Sequence, residues 1–167
     1  VVGDRDAVLV GHSYGGVVIT EATGALPGAR HLVYLAACMP DVGESMLDWT
    51  MKRPSAVPAP LEFFEDGTSI IAVDEAAFPY DEVTMARLRE VRLRPFAIAG
   101  LTTPVTSAAW SSIPSTYLVA GRDTMIDPDT QREMALRAGS MAEVDAEHQV
   151  ILSDPRIVAD LIATLVG

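Results

Sequence analysis

The stretch Gly11-His12-Ser13-Tyr14-Gly15-Gly16 decides how the chain folds. It follows an apolar run, Ala7-Val8-Leu9-Val10, and precedes a second, helical run from Val17 to Leu26. A short continuous apolar run reads as a strand buried on both faces, here over 7–12. The second run is apolar on most sides and reads as a helix over 14–26, buried between layers and stopped by Pro27-Gly28. G-x-S-x-G between strand and helix is the nucleophile elbow, a tight turn that lifts a serine hydroxyl above the end of a sheet. Gly11 and Gly15 are expected where a side chain would collide with the turned backbone. Tyr14 follows the serine, so its backbone N–H opens the helix and faces a developing oxyanion.

Bulk properties bound what surrounds this turn. The chain has 167 residues, enough for one domain with a sizeable core. Its 49% hydrophobic and 21% charged content is an ordinary globular balance. No apolar run is long enough to span a bilayer, and the first residues do not read as a signal peptide. Membrane insertion is therefore not expected. A net charge of −11 disfavours binding to a phosphate backbone, so no nucleic-acid partner is expected either. Cys38 is the sole cysteine, which fits a reducing, cytoplasmic setting. The three histidines and the cysteine are scattered without zinc-ligand spacing, so no metal site is expected.

Outward from the elbow, His31-Leu32-Val33-Tyr34-Leu35-Ala36 reads as a second buried strand, completing a right-handed βαβ unit. Residues 1–39 form the first part of the sheet. Residues 40–110 read as an excursion, a cap or lid. Pro54, Pro58 and Pro60 interrupt regular structure there. A short strand is expected over 68–73, and a helix over 81–94 capped by Asp81, with Met85, Leu88 and Val91 on one face. Residues 111–167 return to the sheet with a strand over 115–120. A helix over 128–138 follows, with Asp127 as its cap, Pro128 in its first turn and Gly139 past its end. A short strand over 142–146 comes next. The last helix opens at Asp154-Pro155 and carries an apolar stripe of Ile157, Val158, Leu161, Ile162, Leu165 and Val166.

A serine hydroxyl becomes a nucleophile when a base takes its proton, and the base is a histidine held in one tautomer by a carboxylate. On this fold the chain order is serine, acid, histidine, each after a different strand. Ser13, Asp123 and His148 meet that order. Asp127 is the rival acid, but its place before Pro128 already explains it as a helix cap. His31 lies at the start of a strand, and His12 reads as a packing or oxyanion-loop contact. His148 lies at the C-terminal end of a strand, where ligand sites of parallel sheets sit. Asp145 and Glu147 beside it read as surface charge, and Cys38 as a small core or pocket residue. His12, Trp49, Phe63, Phe64, Phe78 and Trp110 are candidates for a pocket lining.

With these residues placed, the sequence resembles the α/β-hydrolase superfamily, and within it the small esterases grouped with plant hydroxynitrile lyases and methylesterases. The resemblance rests on the elbow at 11–16, on His31-Leu32-Val33-Tyr34-Leu35-Ala36-Ala37-Cys38-Met39-Pro40-Asp41-Val42-Gly43-Glu44-Ser45, on the Asp123 to Pro128 spacing with Gln131 downstream, and on Asp145-Ala146-Glu147-His148-Gln149-Val150-Ile151-Leu152-Ser153-Asp154-Pro155. It implies an α/β-hydrolase fold: a mostly parallel sheet with flanking helices and a small cap inserted after the second visible strand. Gln149 stands where the lyases of this group place a lysine. A neutral amide cannot stabilise a departing cyanide, which favours the hydrolytic members. The superfamily fold also carries strands before the nucleophile strand, with a loop that supplies a second oxyanion donor. The edge of the sheet at 7–12 is accordingly expected to be covered by a further N-terminal segment or by an oligomer partner.

The resulting expectation is an ester hydrolase. Ser13 attacks a small hydrophobic carboxylic ester or lactone, His148 moves the proton, Asp123 orients His148 and the Tyr14 N–H meets the oxyanion. The chemistry needs no metal or organic cofactor. A lyase, a thioesterase, a carbon–carbon hydrolase and a non-catalytic ligand-binding protein remain the alternatives, because the fold hosts all of them.

Overall fold

The computed structural model describes residues 5–22, 27–55, 60–72, 78, 80–91 and 93–166. Four strands, β1 (Ala7–His12), β2 (Ala29–Leu35), β6 (Ser115–Ala120) and β7 (Ser140–Val144), form a sheet in the order β1-β2-β6-β7. Every pairing in it is parallel. β2 and β6 occupy the middle, and Leu32 to Leu35 and Tyr117 to Ala120 are buried throughout. That is why they read as unbroken apolar runs.

Side chains alternate between the two faces of the sheet. Leu32, Tyr34, Tyr117 and Val119 face helix α1 (Gly15–Glu21) and helix α5 (Pro128–Ala135), packing with Val17, Ile19, Met134 and Ala135. Val33, Leu35 and Leu118 face the other way, toward Val150 of α6 (Val150–Ser153) and Val158 of α7 (Pro155–Ala163). Each fully buried large side chain contributes about 1.5–3 kcal/mol relative to exposure. Tyr34 and Tyr117 stack with ring centroids 6.1 Å apart. Their hydroxyls are satisfied, Tyr34 pairing with Thr20 Oγ1 at 2.8 Å and Tyr117 donating to the Ala37 carbonyl.

Between β2 and β6 the chain forms α2 (Met46–Lys52), an antiparallel three-stranded sheet of β3 (Leu61–Phe63), β4 (Thr68–Ile71) and β5 (Phe96–Ala97), helices α3 (Glu82–Glu90) and α4 (Ala99–Thr102), and a 3₁₀ turn at Ala109–Ser111. Helix α2 went unread in the sequence. It starts at a capping box in which Ser45 Oγ accepts from Asp48 N and Asp48 accepts from Ser45 N. Phe78, Met85 and Leu88 form a small cluster that packs against Met125 and Leu152, seating α3 beside α6.

Several boundaries differ from expectation. Helix α1 ends at Glu21, and the part of the expected helix at 23–26 lies outside the described residues. β2 begins at Ala29, and Ala36 leaves it with φ of 43°. The expected strand at 68–73 stops at Ile71, with 73 outside the described residues. Helix α3 stops at Glu90, so Val91 falls past its end and is exposed. Helix α5 stops at Ala135, and β7 lies two residues earlier than expected. Val166 falls beyond α7 and is exposed.

Candidate active site

The elbow is fixed to the end of β2 by its backbone. Ser13 N–H donates to the Leu35 carbonyl at 3.2 Å, and the Ser13 carbonyl accepts from Gly16 N at 3.0 Å and Cys38 N at 3.2 Å. Ser13 takes a φ of 56°, a left-handed conformation that costs a non-glycine residue about 1–3 kcal/mol and persists where the surroundings impose it. A Cβ on Gly11 would stand 2.6 Å from the Gly15 carbonyl oxygen, and one on Gly16 would stand 2.1 Å from the Cys38 carbonyl oxygen. A Cβ on Gly15 would meet nothing within 4 Å. The expectation for Gly15 is thus corrected. The second glycine required for close approach is Gly16, because the helix start lies against the backbone that leaves β2.

Asp123 lies three residues past β6 and is buried. Its Oδ1 accepts from Met125 N at 2.7 Å and Ile126 N at 3.0 Å. Its Oδ2 accepts from His148 Nδ1 at 2.7 Å and from Gln131 Nε2 at 2.7 Å. A carboxylate with four donors on it is held in one orientation. Since a carboxylate only accepts, Nδ1 of His148 carries the proton and Nε2 presents its lone pair. His148 is itself buried and lies past the end of β7.

Ser13, Asp123 and His148 therefore leave three strands of one sheet at the same, C-terminal edge. His12 links the first to the last: its Nε2 lies 2.7 Å from the His148 carbonyl oxygen, and the two rings are 4.7 Å apart. Among the described residues no hydrogen bond joins Ser13 Oγ to the His148 ring. Such a bond is often long before substrate arrives. Tyr14 precedes the first residue of α1, and its N–H makes no backbone hydrogen bond among the described residues.

Gln131 was noted in the sequence but given no role. It is fully buried on α5 and ties three groups together, donating to Asp123 Oδ2 and the Ile126 carbonyl while its Oε1 accepts from Ala120 N at 3.0 Å. The signal was an amide on the helix face that also carries Thr130, Met134 and Ala135. Burial pushes the Cys38 thiol up to about 12, which leaves it uncharged and unreactive. Arg122 pairs with Asp145 at 3.2 Å and Glu147 at 3.1 Å, so both acids beside His148 are engaged at the surface.

A model of the Alpha/beta hydrolase family matches residues 1–161. The chain belongs to that family. This α/β-hydrolase is 29% identical over 180 residues to the Alpha/beta hydrolase nvfD of Aspergillus novofumigatus, spanning 98% of the chain and 71% of the relative. It is 26% identical over 182 residues to Methylesterase 7 of Arabidopsis thaliana, spanning 95% and 68%. A pyrethroid hydrolase from Sphingobium faniae JZ-2 superposes with a TM-score of 0.70 at 20% identity, over 97% of this chain and 71% of that one.

The aromatic residues expected to line one pocket of this α/β-hydrolase have three separate placements. Trp49 and Trp110 bracket Arg137, whose Cζ lies 4.7 Å and 5.5 Å from their ring centres. Trp49 Nε1 donates to Glu44 and Trp110 Nε1 to the Pro40 carbonyl. Phe63 and Phe64 are exposed on and just after β3. Phe78 is buried beside Tyr80 and Met125. Aromatic density did not distinguish a lid's underside from a cation clamp, because both place flat rings against neighbouring groups. Among the described residues no group of three or more His, Cys, Asp or Glu is placed to hold a metal, and no helix is long and apolar enough to cross a membrane.

Proposed function

We propose that this α/β-hydrolase cleaves carboxylic esters or lactones through an acyl-serine, with Ser13 as nucleophile, His148 as base and Asp123 as its orienting acid. The observation that carries the reading is the 2.7 Å bond from buried His148 Nδ1 to Asp123 Oδ2. It leaves the other ring nitrogen free to accept at the edge of the sheet where the strained serine turn sits. The names of the relatives, a methylesterase among them, support ester chemistry.

In the first step His148 Nε2 takes the proton from Ser13 Oγ as that oxygen bonds to the ester carbonyl carbon. The carbonyl π electrons move onto oxygen, and the Tyr14 N–H donates to the resulting anion. Asp123 stabilises the imidazolium without taking its proton. The tetrahedral intermediate collapses, the carbon–oxygen bond to the alcohol breaks, and His148 protonates the leaving alkoxide. Water then repeats the sequence on the acyl-serine and releases the acid.

The test is labelling with a fluorophosphonate, followed by a panel of p-nitrophenyl esters and thioesters. An activated Ser13 is labelled, while Ser13→Ala and His148→Ala are not. Absence of labelling in the folded, full-length protein would overturn the reading.

A further inference from the structure

His12 belongs to the nucleophile turn, yet its polar end is engaged by the histidine loop 136 residues away. Its Nε2 stands 2.7 Å from the carbonyl oxygen of His148. A carbonyl only accepts, so Nε2 carries the proton and donates it. Among the described residues no other hydrogen bond reaches that carbonyl. The two rings also touch, with centroids 4.7 Å apart and planes inclined by 48°. The same side chain therefore fixes the main chain of residue 148 and bounds one side of its imidazole.

We propose that His12 is a positioning residue for His148: its Nε2–H anchors the loop that carries the base, and its ring limits how far the His148 imidazole swings away from Ser13. The inference rests on the reading of Ser13, Asp123 and His148 given above. Two tethers then act on one residue. Asp123 holds Nδ1 from the sheet side, and His12 holds the backbone from the serine side, so the remaining freedom of Nε2 is small. Because His12 is adjacent to Ser13 in the chain, any shift of the elbow carries the anchor with it. Nucleophile and base move as a unit.

The charge state suits this role. Burial, with a smaller contribution from neighbouring His148, pushes His12 down to about 4, against opposing pulls from its bond to the His148 carbonyl and from Asp123. At neutral pH it is an uncharged donor. A cation at this distance would oppose the imidazolium that forms on His148 during the reaction. A lysine or arginine would supply a donor but also that repulsion.

The experiment compares the full-length protein with His12→Leu, which keeps bulk and loses the donor, and His12→Gln, whose amide nitrogen reaches to a similar depth. Each is assayed for p-nitrophenyl acetate hydrolysis and for the rate of fluorophosphonate labelling, well below its melting temperature. Misplacing a base by about 1 Å costs up to about a hundredfold. In His12→Leu, kcat and the labelling rate should both fall by about ten- to a hundredfold while KM stays within about threefold. His12→Gln should recover most of the loss. Equal loss in both folded variants, or no loss in His12→Leu, would overturn the inference. If His12→Leu fails to fold, His12→Gln decides, since near wild-type labelling supports the donor role and strong loss overturns it. His148→Ala separates the two layers. Unchanged labelling there removes the proposed function as a whole, whereas loss in His148→Ala with none in His12→Leu removes this inference alone.

Discussion

Gln131 Nε2 stands 2.7 Å from Asp123 Oδ2, the oxygen that also accepts from His148 Nδ1 at 2.7 Å. Two donors thus converge on one carboxylate oxygen, and the amide reaches it from α5, the helix that Asp127 caps. Gln131→Met keeps the bulk and removes both ends of the amide. Ala120 N–H then loses its acceptor inside the core, and the Ile126 carbonyl loses a donor. Each orphaned buried group costs about 1–3 kcal/mol, so the variant should lose about 2 kcal/mol or more in urea unfolding. It should also lose about tenfold or more in kcat as Asp123 loosens. Unchanged stability would show that the amide does not brace the site.

Asp123→Asn tests the tautomer argument. The Asn oxygen would stay with Met125 N–H and Ile126 N–H, which now face Oδ1. Its NH₂ would then face His148 and Gln131, both of them donors in the native arrangement. To remain bonded, His148 must present a bare Nδ1, which moves its proton to Nε2. A protonated Nε2 cannot accept from Ser13. The expected fall in kcat is about 10⁴-fold with near-native folding by circular dichroism. A loss smaller than about tenfold would rule the orienting role out.

The two glycines after Tyr14 should behave oppositely. An added methyl at Gly16 would sit 2.1 Å from the Cys38 carbonyl oxygen, a backbone atom that cannot swing aside. Gly16→Ala should cost about 3 kcal/mol or more and displace the elbow. At Gly15 nothing lies within 4 Å of the same added atom, and the residue opens α1. Gly15→Ala should be neutral or stabilising by up to about 1 kcal/mol, as alanine is the better helix former. Thermal melts of the two variants check this directly, and equal destabilisation would remove the packing explanation.

The sheet was legible where burial was two-sided. Leu32 to Leu35 and Tyr117 to Ala120 are apolar without interruption because helices cover both faces. The elbow was legible through Gly11 and Ser13, which answer to the local turn, whereas the need for glycine at 16 is set by the Cys38 carbonyl and was not legible. β7 was misplaced by two residues because Ser140 to Glu143 are exposed at the sheet's edge, and no apolar run marks them. β3 and β5 went unread because they are three and two residues long; β3 forms only a short hairpin with β4, and β5 depends on pairing with a segment almost thirty residues earlier. Gln131 was invisible as a brace for the same reason: its partners at 120, 123 and 126 converge only after α5 docks on β6.

The aromatic clamp yields a prediction about acid. Glu44 accepts from Arg137 Nη1 at 2.6 Å and Nη2 at 3.0 Å, from Trp49 Nε1 at 2.7 Å and from Asp41 N at 2.8 Å. Arg137 first, then the Asp41 and Trp49 donors, hold its carboxyl down at about 2 against the usual 4.5. A carboxyl depressed on folding contributes stability that is fully present above about 4.5 and is lost as pH falls toward about 2. The pair is partly exposed, so solvent screening reduces the contribution to on the order of 1 kcal/mol. Urea unfolding of the native protein and of Glu44→Gln at pH 7 and pH 3 isolates it. The native protein should lose about 0.5 kcal/mol more than the variant between the two pH values, since just over half of the contribution is gone by pH 3, and at pH 3 the two should lie closer together than at pH 7. Parallel losses in both would show that the protonation of Glu44 is not linked to folding.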